Sequence, residues 1–569
     1  MGPMRILRFL AFAALVTALA GGAFVRARRP GRVAYVGATV LTMDARDRTV
    51  SAVGTDGDRI AVVGSDDEVR RWAASSGTRV VELQGRAVIP GFIDAHGHFP
   101  GEGLFAVRAD LRSPPVGEVR ALDDVLARLR EQAERTATGE WVVGIGFDDT
   151  LVAEQRHLSR ADLDRVSTSQ PVLAMHVSGH LASVNGAALE VLGYHRDTAD
   201  PSGGRIRRDP ASGEPDGVLE ESALDPLKPL VLNPGLRETV AIARAASALY
   251  VARGVTTAQD GHATLAHMRG LAWLSRLGVI PLRLVLWPEE PAAEALLRGD
   301  ASFGSWDDRW VRLGAAKLVA DGSIQGYTAY LTQPYTVPPG DDPSFRGYPR
   351  ISKDVLRDTI LRLHAAGWQV AVHGNGDASI DDILDGFEAA QRAVPRADAR
   401  HVIVHAQTAR DDQLDRMAAL GIVPSFFVLH TYYWGDRHRE RFLGPERAAR
   451  ISPTASAAAR GIRFTLHADS PVVPMEPLRI VWSAVNRRTT SGEVLGQGER
   501  IGVRQALRAV TIDAAWQHFQ EDDRGSIEPG KLADLVVLDR SPETDPATID
   551  RIRVLATVIG GREVYTAAQ

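Results

Sequence analysis

The stretch Val88-Ile-Pro-Gly-Phe-Ile-Asp-Ala-His-Gly-His98 decides how the rest of the chain is read. Its apolar residues run almost unbroken to Asp94, as expected of a strand buried on both faces. Two histidines follow two positions apart, and on extended chain that spacing puts His96 and His98 on one face. Two imidazoles converging at the end of a buried strand can share one divalent ion. Alone, the pair reads equally well as core or loop histidines, so the decision falls to what stands downstream.

Downstream, strand-like apolar runs ending in polar residues alternate with helical stretches, the pattern of parallel β/α units. Nine runs have this form: GFIDAHGH, PVLAMHVSGH, GVTTAQD, PLRLVLW, VRLGAAKLVADG, QVAVHGNGD, HVIVHAQ, GIVPSFFVLH and RFTLHADS. A closed barrel takes eight. The run PVLAMHVSGH lies in a segment rich in Pro, Gly and charge, which reads as an insertion after the first strand. The sequence therefore predicts an α/β fold, a (β/α)8 TIM barrel over residues 90–515 with a large insertion at about 103–234. Residues 31–89 carry short alternating apolar segments separated by Asp/Gly turns, expected to form a small antiparallel sheet. Residues 516–569 have the same texture. The two ends are expected to close one composite β-sandwich.

Five of the eight barrel runs end in groups that can bind or serve a metal. The first offers His96 and His98, and the others offer Lys317, His373, His405 and Asp469. Catalytic groups in such barrels come from the C-terminal ends of different strands, so the pattern fits one site. Lys317 sits inside an apolar strand, where an ammonium must find a partner or lose its proton. A deprotonated lysine can add carbon dioxide and become an anionic bidentate ligand; snorkelling outward or pairing with Asp321 is the alternative.

Composition narrows the function. The chain has 569 residues, and 66 basic against 71 acidic side chains leave a net charge of -5, with no basic field to attract nucleic acid. Cysteine is absent, which excludes disulfides, thiolate metal sites and a cysteine nucleophile. Any metal must be held by His, carboxylate or modified Lys. Residues 1–30 look like a signal peptide or membrane anchor: Arg5 and Arg8 precede an apolar run from Phe9 to Val25 that contains Ala18-Leu-Ala20 and then Gly21-Gly22. Export, to the periplasm, cell envelope or medium, is the expected localisation.

The stretches VIPGFIDAHGH, VSGHLASVNGAAL, DPSGGRIRRD, KLVADGSIQG, VAVHGNGDASID, HVIVHAQ, LHADSPVVPMEPL, ALRAVTIDAAW and GSIEPGKLADLVVLD together resemble the amidohydrolase superfamily. Within it they resemble the YtcJ-like branch, amidohydrolase family 3, which includes N-substituted formamide deformylase. The resemblance implies a barrel with a composite sandwich, a Zn2+-type site of one or two ions, and hydrolysis of carbon–nitrogen bonds. It makes His96, His98, His373 and His405 metal ligands, Lys317 the bridging lysine and Asp469 the catalytic acid/base. It also brings His180 and Asn185 of the insertion towards the substrate. The aromatic stretch Phe426-Phe-Val-Leu-His-Thr-Tyr-Tyr-Trp434 suggests a pocket to which Tyr432 and Trp434 contribute.

The expected reaction is hydrolysis of a non-peptide amide or formamide-type bond by metal-activated water, with Asp469 moving the proton. Ester, lactone or cyclic-amide hydrolysis is the alternative chemistry on the same barrel. An exported metal-binding protein without activity is a third reading, which a free carboxylate beside a water position disfavours. The expected partners are a small-molecule substrate, a second copy of the chain in a homodimer, and a membrane only through the N-terminal anchor.

Overall fold

The structure is a computed structural model that describes residues 30–74, 77–149, 151–177, 181–201, 204–227, 235–304, 307–339 and 342–568. The leader before residue 30 and His180 lie outside the described residues. Among the described residues no helix is long and apolar enough to cross a membrane. The fold is mixed α/β in two compact units: one is the chain up to Phe99 together with the chain from Ser247 onward, the other is Pro100–Ala246.

The first unit holds two all-parallel sheets. One runs Val311–Leu313, Arg283–Pro288, Val255–Ala263, Phe92–Ile93; the other runs Ala316–Val319, Val370–Gly374, Val402–His405, Val423–Phe426, Thr465–Leu466. Every pairing in both is parallel. Parallel neighbours need crossover connections, and helices such as Lys353–Ala365, Asp377–Ala393 and Asp411–Leu420 supply them. The helix Asp377–Ala393 shows why such segments are helical: Ile380, Ile383, Leu384 and Phe387 recur at helical spacing and are all buried. Each such side chain contributes about 1.5–3 kcal/mol on burial. A parallel bridge between Glu289 and Lys317 links strands of the two sheets. At the other flank the amide of Ile93 donates to the Val510 carbonyl at 3.0 Å.

The chain ends meet in one sheet. Its order is Arg562–Thr566, Val554–Ile559, Leu535–Leu538, Ala87–Pro90, Thr39–Leu41, Thr49–Val50, so three strands from the C-terminal end adjoin three from the N-terminal end with no break. A four-stranded sheet of Arg59–Gly64, Ala52–Asp56, Arg32–Val36 and Thr78–Glu82 shares one apolar core with it, including Tyr35, Val53, Val88, Leu535 and Val537. The expectation of an antiparallel N-terminal sheet needs correction: Arg32–Val36 pairs parallel with Thr78–Glu82, and Thr39–Leu41 pairs parallel with Ala87–Pro90. The cause is the helix Asp66–Ala73, started by a Ser65/Glu68 capping box, which carries the chain across to a parallel neighbour. Further along, the helix Ile512–Gln517 places Ala514 and Ala515 against Ile93 and Ala95, and the first C-terminal strand of the mixed sheet begins at Leu535. A buried pair ties this sheet to the parallel strands: Arg283 Nε and Nη2 donate to the Asp534 carboxylate at 2.7 and 3.0 Å.

The second unit is built on a six-stranded sheet in the order Gly204–Arg208, Pro215–Glu221, Leu181–Val184, Val172–His176, Val142–Phe147, Ala109–Asp110. The run PVLAMHVSGH supplies one of these strands. Both faces are covered: Val142, Val172 and Ala174 face one core, and Val143, Ile145, Leu173 and Met175 face the other.

Candidate metal centre

His96 and His98 follow directly on the strand Phe92–Ile93, in a segment pinned on both sides. The His98 amide donates to the Ser470 carbonyl and the Gly261 amide to the Gly97 carbonyl, both at 2.7 Å. The Gly97 amide donates to Gln259 Oε1, also at 2.7 Å. Gly261 has to lack a side chain, since a Cβ there would stand 2.1 Å from His96 Cε1. The His96 ring stacks on buried Trp287 with centroids 5.5 Å apart.

Lys317, His373 and His405 lie on the strands Ala316–Val319, Val370–Gly374 and Val402–His405, and Asp469 stands three residues beyond Thr465–Leu466. The structure brings all six groups together. Asp469 Oδ1 lies 3.3 Å from His98 Nε2 and 3.4 Å from His96 Nε2, and its Oδ2 lies 4.0 Å from His405 Nε2. Lys317 Nζ is 3.1 Å from His96 Nε2, and His405 Nε2 is 3.1 Å from His373 Nδ1. Lys317 does not pair with Asp321, whose carboxylate accepts instead from the amides of Tyr330, Asn375 and Gly376. Two of the six residues hold backbone that side chains disfavour, His405 at φ 73° and Asp469 at φ 54°. Such conformations cost on the order of 1–3 kcal/mol and persist where the surroundings enforce them, often at functional sites.

Electrostatics prepares these groups for ligation. Burial, reinforced by Lys317, holds His96 well below its ordinary value and brings His373 down to about 4. Burial and the neighbouring His373 do the same to His405, so these three imidazoles are neutral, the form that binds metal. Burial lowers the Lys317 amine to about 8, with Asp469 opposing. Burial also works against ionisation of Asp469, but His98, His467 and Lys317 overcome it and keep the carboxyl far below its usual range.

The donor set fits a divalent ion. His96, His98 and Asp469 each offer an atom, all within 4.8 Å of one another. The separations of 3.3 and 3.4 Å match the edge of a tetrahedron with bonds of about 2.0–2.1 Å, roughly 3.3 Å. His373 and His405 form a second donor pair, of which His405 Nε2 lies 4.0 Å from the other oxygen of Asp469.

Sequence reasoning passed over His467, although it stands two residues before Asp469. Its Nε2 lies 3.1 Å from His405 Nδ1 and its Nδ1 lies 3.0 Å from Ser425 Oγ. Thr465 Oγ1 lies 2.8 Å from Ser425 Oγ and 2.6 Å from Gln517 Oε1, and Gln517 Nε2 donates to the Ala95 carbonyl at 2.8 Å. A buried polar chain thus orients His405 from behind. His430 was also missed. Its ring lies 6.2 Å from His405 and 4.1 Å from Phe427.

Two expected substrate contacts are corrected. Asn185 is buried and caps the helix Gly186–Leu192: its Oδ1 accepts from Ala188 and Val172, and its Nδ2 donates to the Ser167 and Gln170 carbonyls. Its hydrogen-bonding capacity is spent on structure. Tyr432 packs against Trp482 and beneath the Arg479 guanidinium. Trp434 instead reaches towards His405 through His430 and Phe427, with centroids 5.6 and 6.2 Å away. The reason is helical: residues two apart on Leu429–Arg437 point about 200° apart, whereas His430 and Trp434, four apart, share a face.

Comparison with known proteins places nearly the whole chain among amidohydrolases. The amidohydrolase family model matches residues 79–565. The N-substituted formamide deformylase of Arthrobacter pascens is 31% identical over 92% of this chain and 97% of its own. The protein YtcJ of Bacillus subtilis (strain 168) is 29% identical over 93% and 98%. Among solved structures, an uncharacterized metal-dependent hydrolase from Pyrococcus furiosus superposes with a TM-score of 0.72 at 25% identity, covering 91% of this chain and all of that one.

Proposed function

This chain belongs to the amidohydrolase family, and we propose on that premise that it is a metal-dependent hydrolase cutting a non-peptide amide or formamide-type bond in a small molecule. The observation that carries the reading is Asp469, an ionised carboxylate with one oxygen on His96 and His98 and the other towards His405. His96, His98, His373 and His405 would hold one or two ions. Imidazole donors and tetrahedral spacing favour zinc. Lys317 would serve as an anionic ligand once its amine adds carbon dioxide, since burial raises the fraction of free amine.

When bound, the metal supplies Lewis-acid polarisation of the substrate carbonyl and activation of water. Asp469 takes the proton from the attacking water and delivers it to the leaving nitrogen as the carbon–nitrogen bond breaks, so the products are a carboxylic acid and an amine. Trp434 and His430 form an apolar flank beside His405 on which a substituent can rest.

The architecture proposed around this site is one (β/α)8 barrel, of which the two parallel sheets are the two arcs, with Val311–Leu313 and Ala316–Val319 counted as one interrupted strand shared between them. The Glu289–Lys317 bridge at one junction and the His98–Ser470 hydrogen bond, just beyond the first and last strands, support it. The two terminal sheets would be its composite β-sandwich, and the insertion would correspond to the unit 100–246. We also propose export through the N-terminal leader; N-terminal sequencing from the native host should find a chain beginning near Gly21, and an intact cytosolic chain from Met1 would contradict it.

The test of the activity is a substrate panel of N-substituted formamides, N-acyl amines, esters and lactones, run on protein stripped by chelator and then reloaded with zinc. The formamide arm is motivated by the similarity to N-substituted formamide deformylase. The expected result is turnover of a formamide or amide that disappears on stripping and returns on reloading. Turnover of esters or lactones alone would favour the second chemistry, and activity that survives stripping would contradict the reading.

A further inference from the structure

A second cluster of metal-type donors stands within the unit 100–246. The strands Val142–Phe147 and Val172–His176 are parallel neighbours, and their register slips between Ile145 and Phe147. Gly146, at φ +89°, makes this bulge possible. The slip shifts the alternation, so that Phe147 joins Val142 in one core although they stand an odd five positions apart. It also sets Phe147 opposite His176, and Asp148 and Asp149 leave the sheet beside that histidine. Carboxyl ends of parallel strands are where α/β proteins place ligands.

The loop that follows brings a fourth donor. Val152 and Leu158 are anchored in the core that holds Phe147, and Ser159 caps the helix Arg160–Asp164 with a capping box. His157, next to the anchored Leu158, is thereby returned to the strand ends. Its Nδ1 lies 3.5 Å from Asp149 Oδ1, and His176 Nε2 lies 3.0 Å from the same oxygen. The two rings are 6.2 Å apart. Donor atoms of Asp148, Asp149 and His176 all lie within 4.8 Å of one another.

We propose that His157, His176, Asp148 and Asp149 form a second divalent-cation site, of the zinc or manganese class, separate in its residues from the candidate metal centre. The separations of 3.0 and 3.5 Å bracket the roughly 3.3 Å edge of a tetrahedral site. Two carboxylates and two imidazoles are a donor set for a first-row ion, and with neutral imidazoles they carry two negative charges that such an ion offsets. Burial holds His176 below its ordinary value although Asp148 and Asp149 pull the other way, which favours the unprotonated ring. The inference does not depend on the reaction proposed above.

The test counts metal in the full-length protein. Wild type and Asp149→Asn are stripped with chelator, equilibrated at buffered micromolar free zinc and measured by elemental analysis, with circular dichroism to verify folding. The expected result is one equivalent less in Asp149→Asn than in wild type. Should that variant fail to fold, His157→Gln, a change in a partly exposed loop, is read in the same way. An equal zinc count in wild type and in the folded variant overturns the proposal.

Discussion

His467 Nε2 stands 3.1 Å from His405 Nδ1. For His405 Nε2 to present a lone pair beside His373, its Nδ1 must carry the hydrogen, and His467 is the acceptor that fixes this tautomer. His467 then carries its own hydrogen on Nδ1, facing Ser425 Oγ at 3.0 Å. His467→Phe should therefore lower metal affinity by about 10–100-fold, the usual cost of losing a ligand's supporting partner. Competition against a chromophoric chelator measures it, and unchanged affinity would remove His467 from this role.

Asn185→Ala removes a helix cap and takes a partner from four backbone groups, the buried amides of Val172 and Ala188 and the part-buried carbonyls of Ser167 and Gln170. The expected loss is at least about 1 kcal/mol in urea unfolding, with kcat and the substrate profile of the folded protein unchanged. A shifted substrate profile at unchanged stability would return Asn185 to the substrate.

The metal-free protein should lose stability as the pH falls below about 6.5. Burial lowers His373 and His518 to about 4 and His438 to about 3. Between those values and the ordinary 6.5 the unfolded chain binds more protons than the folded one, so acid favours unfolding. Each group contributes about 1.4 kcal/mol per pH unit within its window. Melting of stripped protein between pH 6.5 and 5, above the range of most carboxylates, measures this. A flat Tm there would contradict the buried neutral assignment.

The strand runs and their polar ends were legible in the sequence because a strand buried on both faces leaves an unbroken apolar signature and active-site groups must follow it. Lys317 stood out because a charge within such a run is costly. The helix Asp66–Ala73 was not legible as a crossover, since its eight residues bury only Val69 and Ala73. The roles of Asn185 and Tyr432 were hidden for another reason: a motif match locates a residue along the chain, whereas capping geometry and helix rotation decide where its side chain points. His467 was passed over because Asp469 already supplied a functional group at that strand end, and only three-dimensional contact separates a ligand from its support.

Whether Asp469 moves the proton is tested directly by the variant Asp469→Asn. The near-isosteric amide keeps the side chain's volume and an oxygen in place of Asp469 Oδ1, and the four histidines remain to hold metal. Metal content, Tm and kcat are to be measured on the same preparation. The expected result is retained metal, a Tm close to that of the parent and a kcat lower by about 10²–10⁴-fold, the usual contribution of a positioned general base. A folded, metal-loaded Asp469→Asn protein with kcat within about threefold of the parent would contradict the account.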